Sequence, residues 1–152
     1  MNIRKLMILT LAAGAILGAA NMAQNSQAAE KITDVREDGM KEMGKALKAI
    51  KGLVADNGDK AEIAAQAQKI VNNSAKIPMW FPKEAGLGEA AKPGIWDQWD
   101  KFEGNAKNLN TQATQLVAAA QNGSDMSAIQ AQFAATGKAC GTCHEDFRKK
   151  KD

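Results

Sequence analysis

The most informative stretch of this sequence is Cys140-Gly141-Thr142-Cys143-His144, close to the C-terminus. It has the C-x-x-C-H spacing of covalent haem c attachment. On a helix, residues i and i+3 lie on one face, so both thiols can reach the vinyl groups at one edge of the flat macrocycle. The following imidazole is the expected proximal iron ligand. The chain has two cysteines and one histidine, and all three lie in this pentapeptide.

Two other kinds of site could use these residues. A redox-active C-x-x-C belongs at the start of a helix in a βαβ unit, and the chain has no strand pattern. A structural zinc site needs four ligands, often from two separated pairs. Because Cys140, Cys143 and His144 come from one pentapeptide, the residues favour haem c, held covalently through the two cysteines.

Residues 1–29 have the pattern of a secretory signal. Two basic residues are followed by an uncharged, mostly apolar run at 6–20 and then by small residues, with cleavage expected after Ala28 or Ala29. The alternative is an uncleaved membrane anchor, but the apolar core is short for a span. We therefore predict export to the bacterial periplasm, a single mature domain of residues 30–152, and no membrane attachment after cleavage.

The charge of the predicted mature chain excludes some classes of partner. Its 18 basic and 17 acidic residues give a formal charge of +1, and two haem propionates would bring the holoprotein near −1. Proteins that bind nucleic acids or anionic membranes carry a larger basic surplus. We therefore expect redox partner proteins, which the sequence does not identify, and no nucleic acid.

Four segments have apolar residues at the three-and-four spacing of amphipathic helices. They cover about residues 33–55, 60–74, 95–122 and 126–150. A longer connection, 76–94, holds all three prolines, and its aromatic residues are expected to fold back over the bundle or the cofactor. The short turns between the other helices predict an all-α, antiparallel four-helix bundle with haem c in its core.

The first predicted helix carries the candidate residues for the distal side of the haem. Met40 and Met43 begin an apolar stripe. Arg36 lies one turn before Met40 on the same face. The glycine beside Met40 leaves room for a large group to approach closely.

With these residues in view, the sequence resembles the class II cytochromes c, which comprise cytochrome c' and its low-spin relatives. The likeness covers essentially the whole mature chain, and class I cytochromes c instead carry the haem motif near the N-terminus. The resemblance implies the bundle fold and permits a homodimer through the first two helices. It rests on residues 136–148, on Arg36, Met40, Met43 and Gly44, and on the segments 77–82 and 92–96.

Members of this family differ at the sixth coordination position of the iron. In cytochrome c' the iron is five-coordinate under an apolar first-helix residue, which nitric oxide or carbon monoxide displaces. In the low-spin relatives a first-helix methionine completes a His/Met pair, which raises the reduction potential relative to a bis-His site. Met40 occupies the matching position, and the segments around Met40-Lys41 and Phe81-Pro82 look more like the low-spin branch. The resemblance therefore favours Met40 as the distal ligand.

Several alternatives stay open at this site. Met40 could line the pocket of a five-coordinate iron, and Met43 or Met79 could ligate in its place. Arg148, four residues after His144, is expected over the proximal side, and Arg36 is expected to pair with a haem propionate. A solvated surface position is the alternative for both arginines.

These features predict a function in electron transfer. We expect a periplasmic one-electron carrier with His144/Met40 ligation, in which the electron crosses at an exposed haem edge. The alternative is a five-coordinate cytochrome c' that binds nitric oxide or carbon monoxide. No distal histidine or acid is present to support peroxidase chemistry, so we do not expect an enzyme.

Overall fold

The described part of the chain folds into four α-helices. The computed structural model describes residues 13–150, and side chains from residue 31 onward. The helices are α1 (Ala13–Ala55), α2 (Lys60–Ser74), α3 (Trp99–Gln121) and α4 (Met126–Phe147). Within the described residues no strand forms, and an isolated bridge pairs Ala91 with Arg148. The predicted all-α, antiparallel four-helix bundle is confirmed.

Helices α2 and α4 begin where the apolar spacing predicts, and each follows a capping aspartate. The Asp59 side chain accepts a hydrogen bond from the Ala61 N–H group at 2.7 Å and begins α2. Asp125 accepts one from the Ala128 N–H group at 2.8 Å and begins α4. Gly123 follows α3 with a φ of +74°, a left-handed geometry that glycine adopts without strain.

Three predicted helix boundaries are wrong. α1 begins at Ala13 and not near residue 33, because the alanine-rich run before residue 33 favours helix and contains no proline. α3 begins at Trp99 and not at residue 95, since Pro93–Ile95 form a short 3-10 turn first. α4 ends at Phe147 and not near residue 150, because the backbone of Arg148 is extended.

The predicted signal of residues 1–29 lies partly outside the described residues. Residues 1–12 are not described, and residues 13–30 are described only as backbone helix. In the part of the chain that is described, no helix combines the length and the apolar character needed to cross a bilayer.

The core is densest around α2 and α3. α2 packs against α1 and α3, and α3 packs against α4, whereas α1 and α4 share few direct contacts. Each large apolar side chain buried here contributes about 1.5–3 kcal/mol. The fully buried large apolar side chains are Phe102, Ile50, Ile63, Ile70, Ile95, Leu116 and Ile129.

The connection between α2 and α3 folds back onto the bundle, as the sequence predicts. Trp80 and Phe81 are both buried. The Trp96 indole N–H group donates a hydrogen bond to the Phe81 carbonyl at 2.9 Å, and the Phe81 ring meets the edge of Phe102 at 4.8 Å between ring centroids. The connection is therefore a packed layer against α1 and α3.

Candidate haem-binding site

Helix α4 presents the haem-attachment motif in its last two turns. Cys140 and Cys143 lie in a continuous helix, so their side chains share one face. Both are partly buried and pack against the apolar core. No disulfide joins the two residues. A cofactor tethered to both would therefore lie against the apolar side of α4.

The protonation of the two thiols separates this motif from a redox C-x-x-C. Burial raises the pKa of Cys140, and burial with the nearby Cys140 and Asp146 raises the pKa of Cys143 to about 11. Redox-active cysteines instead have lowered pKa values. Among residues 31–150, no group of three or more His, Cys, Asp or Glu side chains is placed to hold a metal ion. The disulfide and zinc alternatives are both disfavoured.

His144 follows on the same turn of α4. Its side chain is exposed to solvent. Desolvation of the ring, and then the positive charge of Arg148, lower the pKa of this imidazole below its usual value. The neutral form, which is the form that ligates metals, is therefore favoured at neutral pH. Arg148 is close enough to His144 for its charge to be felt there.

The end of α4 is fixed by a backbone contact that the sequence analysis missed. The Lys92 N–H group donates to the Phe147 carbonyl at 2.8 Å, and the Lys149 N–H group donates to the Ala90 carbonyl at 2.9 Å. The Lys92 ammonium also donates to the Glu145 carbonyl at 2.7 Å. Three hydrogen bonds therefore hold the turn that carries His144. The sequence feature that points to this contact is Lys92-Pro93, because a residue before proline favours the extended backbone that Lys92 adopts.

Helix α1 supplies the other candidate ligand. Met40 is partly buried and packs against the core, whereas Met43, one turn further on, is fully buried at 6% exposure. The Trp80 ring lies directly against Gly39, where a Cβ would overlap it. The large group that the glycine admits is therefore an indole of the α2–α3 connection.

Arg36 is buried, and its partners are backbone carbonyls. Its Nε and Nη2 atoms donate to the Trp80 carbonyl at 2.8 and 2.6 Å. Its Nη1 atom donates to the Leu87 carbonyl at 2.7 Å, and Nη2 also reaches the Gly86 carbonyl at 3.3 Å. The predicted solvated alternative for Arg36 is wrong, because the side chain is only 6% exposed. Its pairing with a haem propionate stays a prediction.

The apolar residues of α1 and α4 are compatible with a bound macrocycle between these helices. Most of the helical side chains that pack on the core while staying partly exposed belong to α1 and α4, and fewer belong to α2 and α3. The two helices also have few direct contacts with each other. A flat apolar group with two thiol attachment points matches this arrangement. The partly exposed residues on α1 and α4 are Ile32, Met40, Leu47, Leu53, Met126, Phe133, Cys140 and Cys143.

The sequence profile described as Cytochrome C' matches residues 31–148. The chain belongs to the cytochrome c' family. This match spans all four helices of the bundle and includes the C-x-x-C-H motif, and it confirms the resemblance inferred from the residues. The cofactor of this cytochrome c' family member is haem c, held covalently through Cys140 and Cys143.

Curated relatives of this cytochrome carry two kinds of name. The chain is 32% identical over 152 residues to a cytochrome c' of Rhodopseudomonas palustris, covering 97% of this chain and 99% of that protein. It is 31% identical over 136 residues to a cytochrome c-554 of Cereibacter sphaeroides, covering 85% of this chain and 88% of that protein. The family membership therefore leaves two functional types to choose between.

A solved structure of the family has the same fold. The cytochrome c prime from Alcaligenes xylosoxidans, a ferrous variant with bound NO, matches with a TM-score of 0.73 and 26% identity. The match covers 81% of this chain and 97% of that chain. The four helices and the long α2–α3 connection are thus the family's fold.

Proposed function

We propose that this cytochrome is an exported one-electron carrier whose haem iron is ligated by His144 and Met40. The observation that carries the proposal is the contrast among three methionines. Met43 is committed to the apolar core at 6% exposure, and Met79 is 67% exposed on the connection. Met40 lies between these extremes, on the inward stripe of α1 and only partly covered. Its partly covered side chain is therefore available to a group besides protein.

Each residue of the site has its own role in this proposal. Bound haem c supplies the iron that gains and loses one electron. Cys140 and Cys143 tether the macrocycle to α4, and neutral His144 offers its imidazole from the proximal side. Met40 offers a thioether from α1, a ligand that favours the reduced state relative to a second imidazole.

The two arginines are proposed to act around this centre. Arg148 is four residues from His144, and its charge already lowers the pKa of that imidazole. Arg36 has four hydrogen bonds to carbonyls, which leaves one of its five N–H groups for a haem propionate. Both assignments are proposals about the cofactor's surroundings.

An electron carrier needs no substrate site, and the chain offers little for catalysis. The single histidine of the sequence is the proposed proximal ligand, so no second imidazole is available for proton transfer. We therefore propose that the protein is not an enzyme. Its partners are proposed to be redox proteins, with self-association through α1 and α2 as a further proposal for sedimentation analysis.

Export is part of the same proposal. We propose that residues 1–29 direct the chain to the periplasm and are then removed, leaving the single domain of residues 30–152. The intact mass of the purified holoprotein tests this, because cleavage after Ala28 or Ala29 gives a defined loss. A full-length mass would mean that the signal is not removed, and it would contradict the proposal.

Gas binding is the competing function. The solved relative from Alcaligenes xylosoxidans is described with bound NO, and another relative is named cytochrome c'. In this alternative Met40 lines the distal pocket without ligating, and the five-coordinate iron captures nitric oxide.

Visible spectra of the holoprotein distinguish electron transfer from gas binding. They are recorded for the oxidised and the reduced protein, each without and with carbon monoxide. We expect sharp reduced bands, a weak near-infrared sulfur-to-iron band and no response to the gas. A broad high-spin reduced spectrum that changes with carbon monoxide would refute His/Met ligation and favour gas binding.

A further inference from the structure

Arg36 is the one buried charged side chain among residues 31–150. No carboxylate in that part of the chain pairs with it, since the ion pairs there are Lys41–Glu37 and Lys101–Asp146. Desolvation lowers the pKa of Arg36. A buried cation without a counter-ion is costly unless its donors are satisfied. Ion pairing within residues 31–150 therefore does not explain why this guanidinium is buried.

The α2–α3 connection is shaped around this guanidinium. Three carbonyls, those of Trp80, Gly86 and Leu87, converge on Arg36 with four hydrogen bonds of 2.6–3.3 Å. The guanidinium carbon also lies 4.0 Å from the centroid of the Phe81 ring. The positive φ values of Gly86 and Gly88, +70° and +65°, turn the chain at this point. We call this set of contacts the Arg36 clamp.

The clamp holds the turn of α1 that leads into Met40. Arg36 is one turn before Met40, and Gly39 lies against the Trp80 ring of the clamped segment. On the other side of the segment, the Trp96 N–H group donates to the Phe81 carbonyl at 2.9 Å. The position of Met40 is therefore set by the connection as well as by α1.

A line of aromatic contacts continues from the clamp to α4. The Phe81 and Phe102 rings are 4.8 Å apart, and the Phe102 and Phe147 rings are 5.3 Å apart, both edge to face. Phe147 is three residues after His144, in the turn fixed by Lys92. Packed aromatic groups thus join the turn before Met40 to the turn after His144.

We propose that Arg36 is a positioning residue that sets the distance between the two iron ligands by clamping the connection onto α1. The inference rests on the proposed His144/Met40 ligation. The geometry needs a guanidinium, because its planar fork donates to three carbonyls while its face stacks on Phe81. A lysine ammonium keeps the charge but is a point donor without a stacking face.

The test compares Arg36→Lys and Arg36→Met holoproteins with Lys41→Met. Lys41→Met is a matched control, because it removes a charge next to Met40 from the exposed face of the same helix. We expect both Arg36 variants to gain high-spin character and to bind carbon monoxide about tenfold faster, with unchanged helix content. We expect Lys41→Met to match the wild type. An Arg36→Lys protein that behaves as the wild type would mean that charge alone matters, and would overturn the clamp.

A second pair of variants keeps Arg36 in place. A Cβ at Gly88 would lie 3.0 Å from Thr33 Cγ2 and would be strained at a φ of +65°. Gly88→Ala should therefore loosen the clamp and move carbon monoxide binding in the same direction. Gly123→Ala carries the same left-handed strain, at +74° with nothing within 4 Å, far from the clamp. Equal spectra for these two alanine variants would overturn the inference.

The clamp and the proposed function fail in different ways. A high-spin wild type that binds carbon monoxide would refute Met40 ligation and with it any positioning of a bound ligand. A low-spin wild type whose Arg36 variants are also low-spin and inert to the gas would keep the ligation and overturn the clamp alone. Hydrogen–deuterium exchange across residues 80–88 gives a readout independent of the haem, and it should rise in both Arg36 variants.

Discussion

The indole ring of Trp80 packs directly on the backbone of Gly39, and it leaves no room there for a side chain. The two residues are 41 positions apart in the sequence. Their contact brings the α2–α3 connection onto α1 immediately before Met40. The same segment is held by Arg36, whose guanidinium donates twice to the Trp80 carbonyl.

Replacing Gly39 by alanine should destabilise the holoprotein by about 1–3 kcal/mol, because the new methyl group would displace the Trp80 ring from a packed site. Gly52→Ala, on the same helix with nothing within 4 Å, should instead stabilise by about 0.5–1 kcal/mol through helix propensity. Urea unfolding of both variants makes the comparison. Equal stabilities would contradict the packing described here.

Replacing Met40 by leucine should convert a low-spin spectrum to a high-spin one and open the iron to carbon monoxide, because leucine keeps the volume but has no sulfur. Met43→Leu is the control, since Met43 is buried in the core and a volume-conserving change there costs less than about 1.5 kcal/mol. Visible spectra with and without the gas give the answer. An unchanged Met40→Leu spectrum rules out Met40 as the ligand.

Replacing both Cys140 and Cys143 by serine should leave any bound haem extractable with acid-acetone, because no thioether can then form. A Thr142→Ser variant keeps both thiols and should retain its haem through the same extraction. Haem that stays with the double-serine protein would contradict attachment at this motif.

The Asp125 cap should make stability depend on pH. Hydrogen bonds from the Ala128 N–H group and from Ser127 lower the pKa of the Asp125 carboxyl. A depressed folded-state pKa means that this contribution is present above the unfolded-state value of about 3.9 and is lost as pH falls through the folded-state value.

Thermal unfolding of the wild type and Asp125→Ala should therefore differ most near neutral pH, with the gap closing in acid. Asp125→Asn keeps an acceptor but does not titrate, so its gap to Asp125→Ala should not vary over the same range. A gap between wild type and alanine variant that does not shrink as pH falls through the folded-state pKa would refute this account of the cap.

Local sequence patterns were enough for the existence of the four helices and for the cofactor. The bounds of α2 and the start of α4 follow from the apolar spacing. The C-x-x-C-H motif is equally local, since five consecutive residues carry both thiols and the imidazole. The helix starts that were wrong, at Ala13 and Trp99, depend on an alanine-rich extension and on a 3-10 turn, which apolar spacing does not reveal.

The surroundings of the haem site were decided by tertiary structure. A sequence shows that Arg36 lies one turn before Met40, but not that its donors meet the carbonyls of Trp80 and Leu87, 44 and 51 residues away. Every residue has a backbone carbonyl, so the residue type does not predict which carbonyls will accept these hydrogen bonds. The burial that separates Met40 from Met43 arises in the same way, because it depends on which helices and which connection pack against each turn of α1.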